Sequence, residues 1–265
     1  METWRKILIF LMVLLFLAGL GLVLYPYIQG AIDDNRLQRE ADAFLEQRET
    51  RPDTPTPPSV TLPQVTEPEE TVPETEPVPI APSEYTDLWY AMVDYNEQIW
   101  LEKQAGLCDP WAYQQPSFQL GAYGLEDEVF GVISIPKLDL NMPIYLGATA
   151  KHMAVGAAHL SQTSLPIGGE NTNCVIAWHR GYGGAAYFRY ITDLEIGDEV
   201  IITNLWETLT YKVCEVRIID PNDVEDVLIQ EGRELLTLLT CHPYASGGKY
   251  RYLVYCERVK EVDAQ

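Results

Sequence analysis

A thiol, an imidazole and a guanidinium at strand ends are the side chains of this sequence best placed to do chemistry. Cys241 closes the run Leu235-Leu236-Thr237-Leu238-Leu239-Thr240 and is followed at once by His242-Pro243-Tyr244, so it stands where a strand meets a loop. Arg251 lies in the next apolar run, with nine residues between it and the cysteine. A hairpin would set the two side by side. Strand alternation places Thr237, Leu239 and Cys241 on one face of the first strand and Arg251, Leu253 and Tyr255 on one face of the second. An arginine amid Tyr-Leu-Val-Tyr is unusual, and its alternative reading is a strand-edge charge paired with a carboxylate. A thiol nucleophile also needs a proton carrier, for which the chain offers His152, His159, His179 and His242. His179 ends the run Cys174 to Trp178 and precedes Arg180-Gly181, another strand-to-loop edge. His242 neighbours the cysteine but points to the opposite strand face, which makes it a poor base. His159, in Gly156-Ala157-Ala158-His159-Leu160, is either a hydrogen-bonded core residue or part of a cleft wall, and Thr240 is a second candidate for that wall.

The elements that must carry these groups are β-strands. From Val129 onward seven β-branched or aromatic runs, separated by Gly, Pro, Asn or Asp, fill about 130 residues and predict a closed barrel or sandwich over 129–260, with a five-residue tail at 261–265. Helices are expected at Ala185 to Leu194 and Val224 to Gln230. Upstream, Leu88, Met92, Tyr95, Ile99 and Trp100 recur at helical spacing until Gly106, followed by the turn signal Asp109-Pro110-Trp111, which marks 84–128 as a helical extension.

The N-terminal third is of another character. Ile7 to Leu24 is an 18-residue run without a charge, about 27 Å as a helix, enough to cross a bilayer. Arg5 and Lys6 precede it and Asp33 and Asp34 follow, an asymmetry that puts the N-terminus in the cytoplasm and the rest outside. The run is long for a cleaved signal and lacks a small-residue cleavage site, so residues 1–30 read as a retained anchor. Residues 31–50 read as a separate juxtamembrane helix. Ten of the 18 prolines fall between Pro52 and Pro82, and the stretch 51–83 reads as a disordered spacer that in polyproline geometry would reach up to about 100 Å from the membrane.

Composition sets limits on function. With 18 basic and 39 acidic side chains the net charge is −21, which argues against a nucleic-acid partner and describes a solvated, self-repelling surface. Five cysteines include no C-x-x-C pair and no His/Cys grouping with zinc spacing, so neither a metal nor another cofactor is expected. Cys174, Cys214 and Cys256 sit inside strand patterns as small core residues. The odd count leaves at least one thiol without an intramolecular partner.

These residues resemble the sortases, membrane-anchored cysteine transpeptidases of Gram-positive bacteria. Thr237-Leu238-Leu239-Thr240-Cys241 fits their T-L-x-T-C signature, and the likeness runs from Gly131 through His159, the stretch Leu165 to Thr172 and His179-Arg180-Gly181 to Arg251. Within the family the chain looks most like class C, the pilin-polymerising members, because of its helical extension, its SLPIGGENT stretch and Asp109-Pro110-Trp111. The resemblance implies a sortase-type β-barrel with Cys241 as nucleophile, His179 as general acid and base, Arg251 as oxyanion or substrate stabiliser, and Asp109, Pro110 and Trp111 as a lid. It implies cleavage of an LPXTG-like signal between Thr and Gly, and transfer of the acyl group to an amine. That amine belongs to a pilin lysine on the class C reading and to a peptidoglycan precursor on the alternative, a wall-anchoring sortase. From another class altogether, the chain could be a stalked, non-catalytic binding module with Cys241 a mere strand-end thiol. Two departures stand out: Trp178 where class C sequences usually carry a small residue, expected to reshape the cleft beside His179, and the absence of the second, C-terminal apolar span expected of class C.

Overall fold

The computed structural model describes residues 2–50, 85–107, 116–125, 129–181 and 187–259. Eight strands close a barrel: β1 (Val129–Ile135), β2 (Leu140–Leu146), β3 (Ala157–His159), β4 (Thr172–Ala177), β5 (Glu199–Thr203), β6 (Thr208–Ile219), β7 (Glu234–His242) and β8 (Tyr250–Arg258), in the spatial order β1-β2-β3-β4-β7-β8-β6-β5. The β2–β3 and β4–β7 pairs are parallel and the remaining neighbours antiparallel. Each of the seven expected runs became a strand. The eighth, β3, is only three residues long, too short for alternation to show, and follows a one-and-a-half-turn helix, α3 (Ala150–Val155).

Alternation sorts the side chains into two packed layers on either side of β4, β7 and β8. Cys174, Ile176, Leu236, Leu238, Val254 and Cys256 point into the barrel, against Ile133, Ile135, Val200 and Ile202 from the opposite wall. Val175, Ala177, Leu239, Leu253 and Tyr255 point outward and are covered by Leu160, Ile219 and Val227. Both faces of β4 are therefore dry, which explains its run of six consecutive buried residues and the absence of polar alternation there. The expected helices at 185–194 and 224–230 are short 3-10 segments, Tyr187–Asp193 and Glu225–Val227.

The N-terminal reading needs correction. α1 runs without a break from Glu2 to Thr50, so the apolar segment and the expected juxtamembrane helix are one element, with Pro26 inside it. Its first part is a candidate membrane span, with mean hydropathy 3.1 over its most apolar 18 residues and none of that window buried. Its last part packs on the barrel. Leu37, Ala41 and Phe44 are buried, Glu40 accepts a hydrogen bond from the Tyr145 hydroxyl at 2.7 Å, and Arg48 donates to Thr208 at 3.3 Å. Thirteen residues from Leu24 to Leu37 amount to about 20 Å of helix between the apolar segment and the first side chain docked on the barrel. The stretch 51–83 itself lies outside the described residues.

A second helix, α2 (Thr86–Leu101), joins the same layer. Leu88, Trp89 and Met92 pack with Ala41 and Phe44 of α1 and with Phe130, Val132, Leu165 and Trp206 of the barrel, Trp89 meeting Trp206 edge-on at 5.0 Å. Asn96, buried on α2, accepts from the Leu165 amide at 2.7 Å, which ties the helix to the loop before β4.

Candidate active site

Cys241 and Arg251 face each other across the β7–β8 ladder as register partners, two steps beyond Leu239–Leu253 and on the same outer face. The hairpin loop bends the guanidinium toward the thiol: Arg251 Nη1 donates to the carbonyls of Gly248 at 2.7 Å and Tyr250 at 3.2 Å. A Cβ placed on Gly248 would lie 3.0 Å from Arg251 Nη1 and 3.5 Å from Cys241 Sγ. Gly248 thus lines the space between thiol and guanidinium, and its φ of +81° is one that L side chains rarely adopt.

His179 arrives from the neighbouring strand. The parallel β4–β7 register ends at Ala177–Leu239, after which Trp178 N donates to Leu239 O at 3.1 Å and Thr240 Oγ1 donates to Trp178 O at 2.8 Å. Continued by two residues, that register would bring His179 level with Cys241, on the face shared by Ala177 and Leu239. Partial burial lowers the imidazole below its ordinary value, because desolvation disfavours the cation.

The β6–β7 connection packs on the outer layer through Val227. Asn173 donates to Val227 O at 3.1 Å and Leu228 O at 3.2 Å while accepting from Thr237 Oγ1 at 2.7 Å. Tyr255 donates to Asp226 O, and Gln104, just past α2, accepts from Ile229 N at 2.6 Å. This connection is anchored at both β4 and the end of α2.

Other expected site residues land elsewhere. His159 is not on a cleft wall: it is 1% exposed, and its Nε2 faces the carbonyls of Thr163 and Ser164 at 3.2 and 3.1 Å, with burial pushing it down to about 4. Thr240 is wholly buried and acts through its bond to Trp178, without a surface on the cleft. Trp178 does not reshape the cleft either, because its ring turns into the barrel against Phe188 and donates to Met153 O. Asp109, Pro110 and Trp111 lie outside the described residues, as does Cys108. Burial pushes the Cys174 and Cys256 thiols far up, as expected of inert core cysteines, whereas Cys214 is only partly buried, its thiol also pushed up by burial. Gly248 and Arg180 went unrecognised as site residues; the Gly247-Gly248 pair before Arg251 was the available signal for the first.

A sortase domain family model matches residues 133–259, the span that holds Cys241, His179 and Arg251. Solved structures agree: sortase C1 of GBS pilus island 1 is 31% identical, with a TM-score of 0.60 over 68% of this chain and 91% of that one. The chain belongs to the sortase family. Class C sortases recur among its solved neighbours: sortase C-1 of Streptococcus pneumoniae is 33% identical, with a TM-score of 0.54 and coverage of 65% of this chain and 92% of that one. Sortase D of Bacillus subtilis is 30% identical over 131 residues, 49% of this sortase, which spans 63% of that relative's length.

Proposed function

We propose that this sortase is a membrane-anchored cysteine transpeptidase that cleaves an LPXTG-like signal between Thr and Gly and passes the acyl group to a pilin lysine. The observation that carries the reading is the convergence of Cys241, Arg251 and the His179 strand end on one outer face of the barrel. A neutral His179 takes the thiol proton as Sγ attacks the threonine carbonyl, and returns it to the departing glycine amine as the C–N bond breaks. The thioacyl enzyme then meets the lysine amine, whose proton passes to His179 and on to the leaving Cys241 sulfur. Arg251, held by the hairpin carbonyls, supplies donors to the oxyanion, a role typically worth about 3 kcal/mol of transition-state stabilisation.

The pilin acceptor is supported by likeness to a pilus-island sortase C1. The first part of α1 serves as the anchor, with Arg5 and Lys6 on the cytoplasmic side and the barrel outside. Asp109, Pro110 and Trp111 act as a lid: the triplet starts two residues past Leu107, which packs on the outer layer below the cleft.

The test is mass spectrometry of the full-length protein in detergent, incubated with an LPXTG-type peptide beside the Cys241→Ala variant. An acyl adduct or cleavage present in the parent and absent from the variant is expected. Cleavage surviving in Cys241→Ala, or silence from the parent even with Asp109→Ala and Trp111→Ala introduced, overturns the reading. Loss of covalently linked pilin ladders on deletion of the gene tests the acceptor.

A further inference from the structure

The residues that follow His179 and Cys241 face the other side of their strands and meet there. Arg180 Nη1 lies 2.7 Å from His242 Nδ1, while Arg180 Nη2 donates to Thr192 Oγ1 at 3.1 Å. The His242 ring stacks on Tyr252 of β8 at 5.5 Å. A chain of contacts, Thr192 to Arg180 to His242 to Tyr252, therefore crosses the barrel mouth from the β4–β5 connection to β8. Arg189 over the Tyr244 ring at 4.7 Å joins the same two connections a second time.

A guanidinium has only donors, so His242 Nδ1 must be the acceptor, and the imidazole is neutral with its proton on Nε2. Burial first, and the adjacent Arg180 charge second, lower His242 below its ordinary value and keep it in that form. This accounts for a histidine next to the nucleophile that does not compete as a base: its lone pair is already engaged.

We propose that Arg180 and His242 are positioning residues, whose hydrogen bond fixes the separation of the two strand ends that present His179 and Cys241. The parallel register stops at Ala177–Leu239, two residues short of the reacting pair. Beyond it, Thr240 to Trp178 and Arg180 to His242 hold the ends together on the inner side, while the outer side is left to the chemistry. Proton transfer tolerates little error, and about 1 Å of displacement typically costs on the order of a hundredfold in rate.

The proposal rests on the roles given above to His179 and Cys241, and the experiment separates the two. Full-length protein in detergent is compared with Arg180→Ala, Arg180→Lys, His242→Ala and His242→Asn. Two readouts are taken: the pH profile of Cys241 alkylation by iodoacetamide, which needs no substrate, and kcat and KM for cleavage of an LPXTG-type peptide. The groups facing the clamp are Arg180, His242 and Tyr252, with Asp193 near Tyr252. His242→Ala leaves the Arg180 charge in place, so a moved alkylation profile there reports geometry. Arg180→Ala and His242→Ala are expected to lower kcat about tenfold or more with KM within about twofold, and to shift the alkylation profile. His242→Asn, which restores an acceptor oxygen, should recover most of the loss, and the double alanine variant should be no worse than either single one. Arg180→Lys, lacking the fork that reaches both Thr192 and His242, should fall between. Unchanged kcat and alkylation in the alanine variants, or losses that multiply in the double variant, overturn the clamp. Should an alanine variant fail to fold, parent-like kcat and alkylation in Arg180→Lys, or no advantage of His242→Asn over it, does the same. A parent that alkylates normally but cleaves nothing counts against the proposed function alone, and the alkylation profiles still decide the clamp.

Discussion

Replacing Gly248 by alanine separates backbone strain from occupancy of the reacting space, because its neighbour provides the control. Gly247 and Gly248 both have positive φ, +71° and +81°. Alanine at either position pays the left-handed penalty, about 1–2 kcal/mol, or some 2–8 °C in Tm for a domain of this size. Only Gly248 has neighbours: its added methyl would lie 3.0 Å from Arg251 Nη1 and 3.5 Å from Cys241 Sγ, whereas nothing lies within 4 Å at Gly247. A contact at 3.0 Å forces the guanidinium aside, and with it the Nη1 donor bonded to the Gly248 carbonyl at 2.7 Å. Losing a donor of this kind costs on the order of 3 kcal/mol, about a hundredfold in kcat.

The assay is a melting curve together with steady-state cleavage of an LPXTG-type peptide for both variants. Similar Tm losses are expected, with kcat retained within about threefold in Gly247→Ala and reduced about a hundredfold in Gly248→Ala. A kcat near that of the parent in both variants would refute the placement of Arg251 as an oxyanion donor beside Cys241. Equal and large losses in both would instead show that hairpin strain, not the space between thiol and guanidinium, governs the rate.

Three further outcomes are expected. His159, at about 4 in the folded protein against 6.5 unfolded, binds fewer protons folded than unfolded between those values, so its contribution is complete above pH 6.5 and is lost as pH falls; about 2 kcal/mol should disappear between pH 6.5 and 5, and urea melts of His159→Gln should show a shallower acid slope than the parent. Iodoacetamide labelling of the native protein, read by peptide mass spectrometry, should modify Cys241 while sparing Cys174 and Cys256, whose buried thiols resist ionisation; labelling of either before Cys241 would contradict the packing. Phe44→Ala should cost about 3 kcal/mol in denaturant unfolding of the detergent-solubilised protein if α1 is docked on the barrel, and nothing measurable if the helix stands free.

Much of this site was legible because β-alternation is a strict rule. Placing Cys241 and Arg251 on one face required only the count along two apolar runs and a hairpin between them, and the register confirms that count at Thr237–Tyr255, Leu239–Leu253 and Cys241–Arg251. The parallel pairing that brings His179 to the same edge was not in that count, since parallel neighbours are distant in sequence and leave no turn signal between them. β3 was missed for a related reason: three residues carry no period. Composition reports that the 51–83 stretch can extend, but not that the elements before and after it share a partner, as α1 and α2 do in the layer built on Phe130 and Trp206.

The two sides of the strand ends divide the labour in a way that side-chain types alone foreshadow. A histidine beside a reactive cysteine is a hazard as well as a resource, because a second base could draw the thiol proton away from the leaving group's path. Here the alternation turns His242 inward, Arg180 occupies its lone pair at 2.7 Å, and the stack on Tyr252 limits its rotation. On the outward side stand the mirror-image neighbours, His179 and Cys241, and their separation is inherited from the inner pair. If that inheritance holds, a substitution that never touches the substrate should change kcat through His242 while leaving KM alone. A substitution in the buried layer, such as Asn173→Ala, which frees the Val227 and Leu228 carbonyls, should instead lower Tm while leaving the kcat of the folded protein near that of the parent. The contrast between a loss in kcat and a loss in Tm distinguishes a clamp on the reacting groups from a general loosening of the barrel.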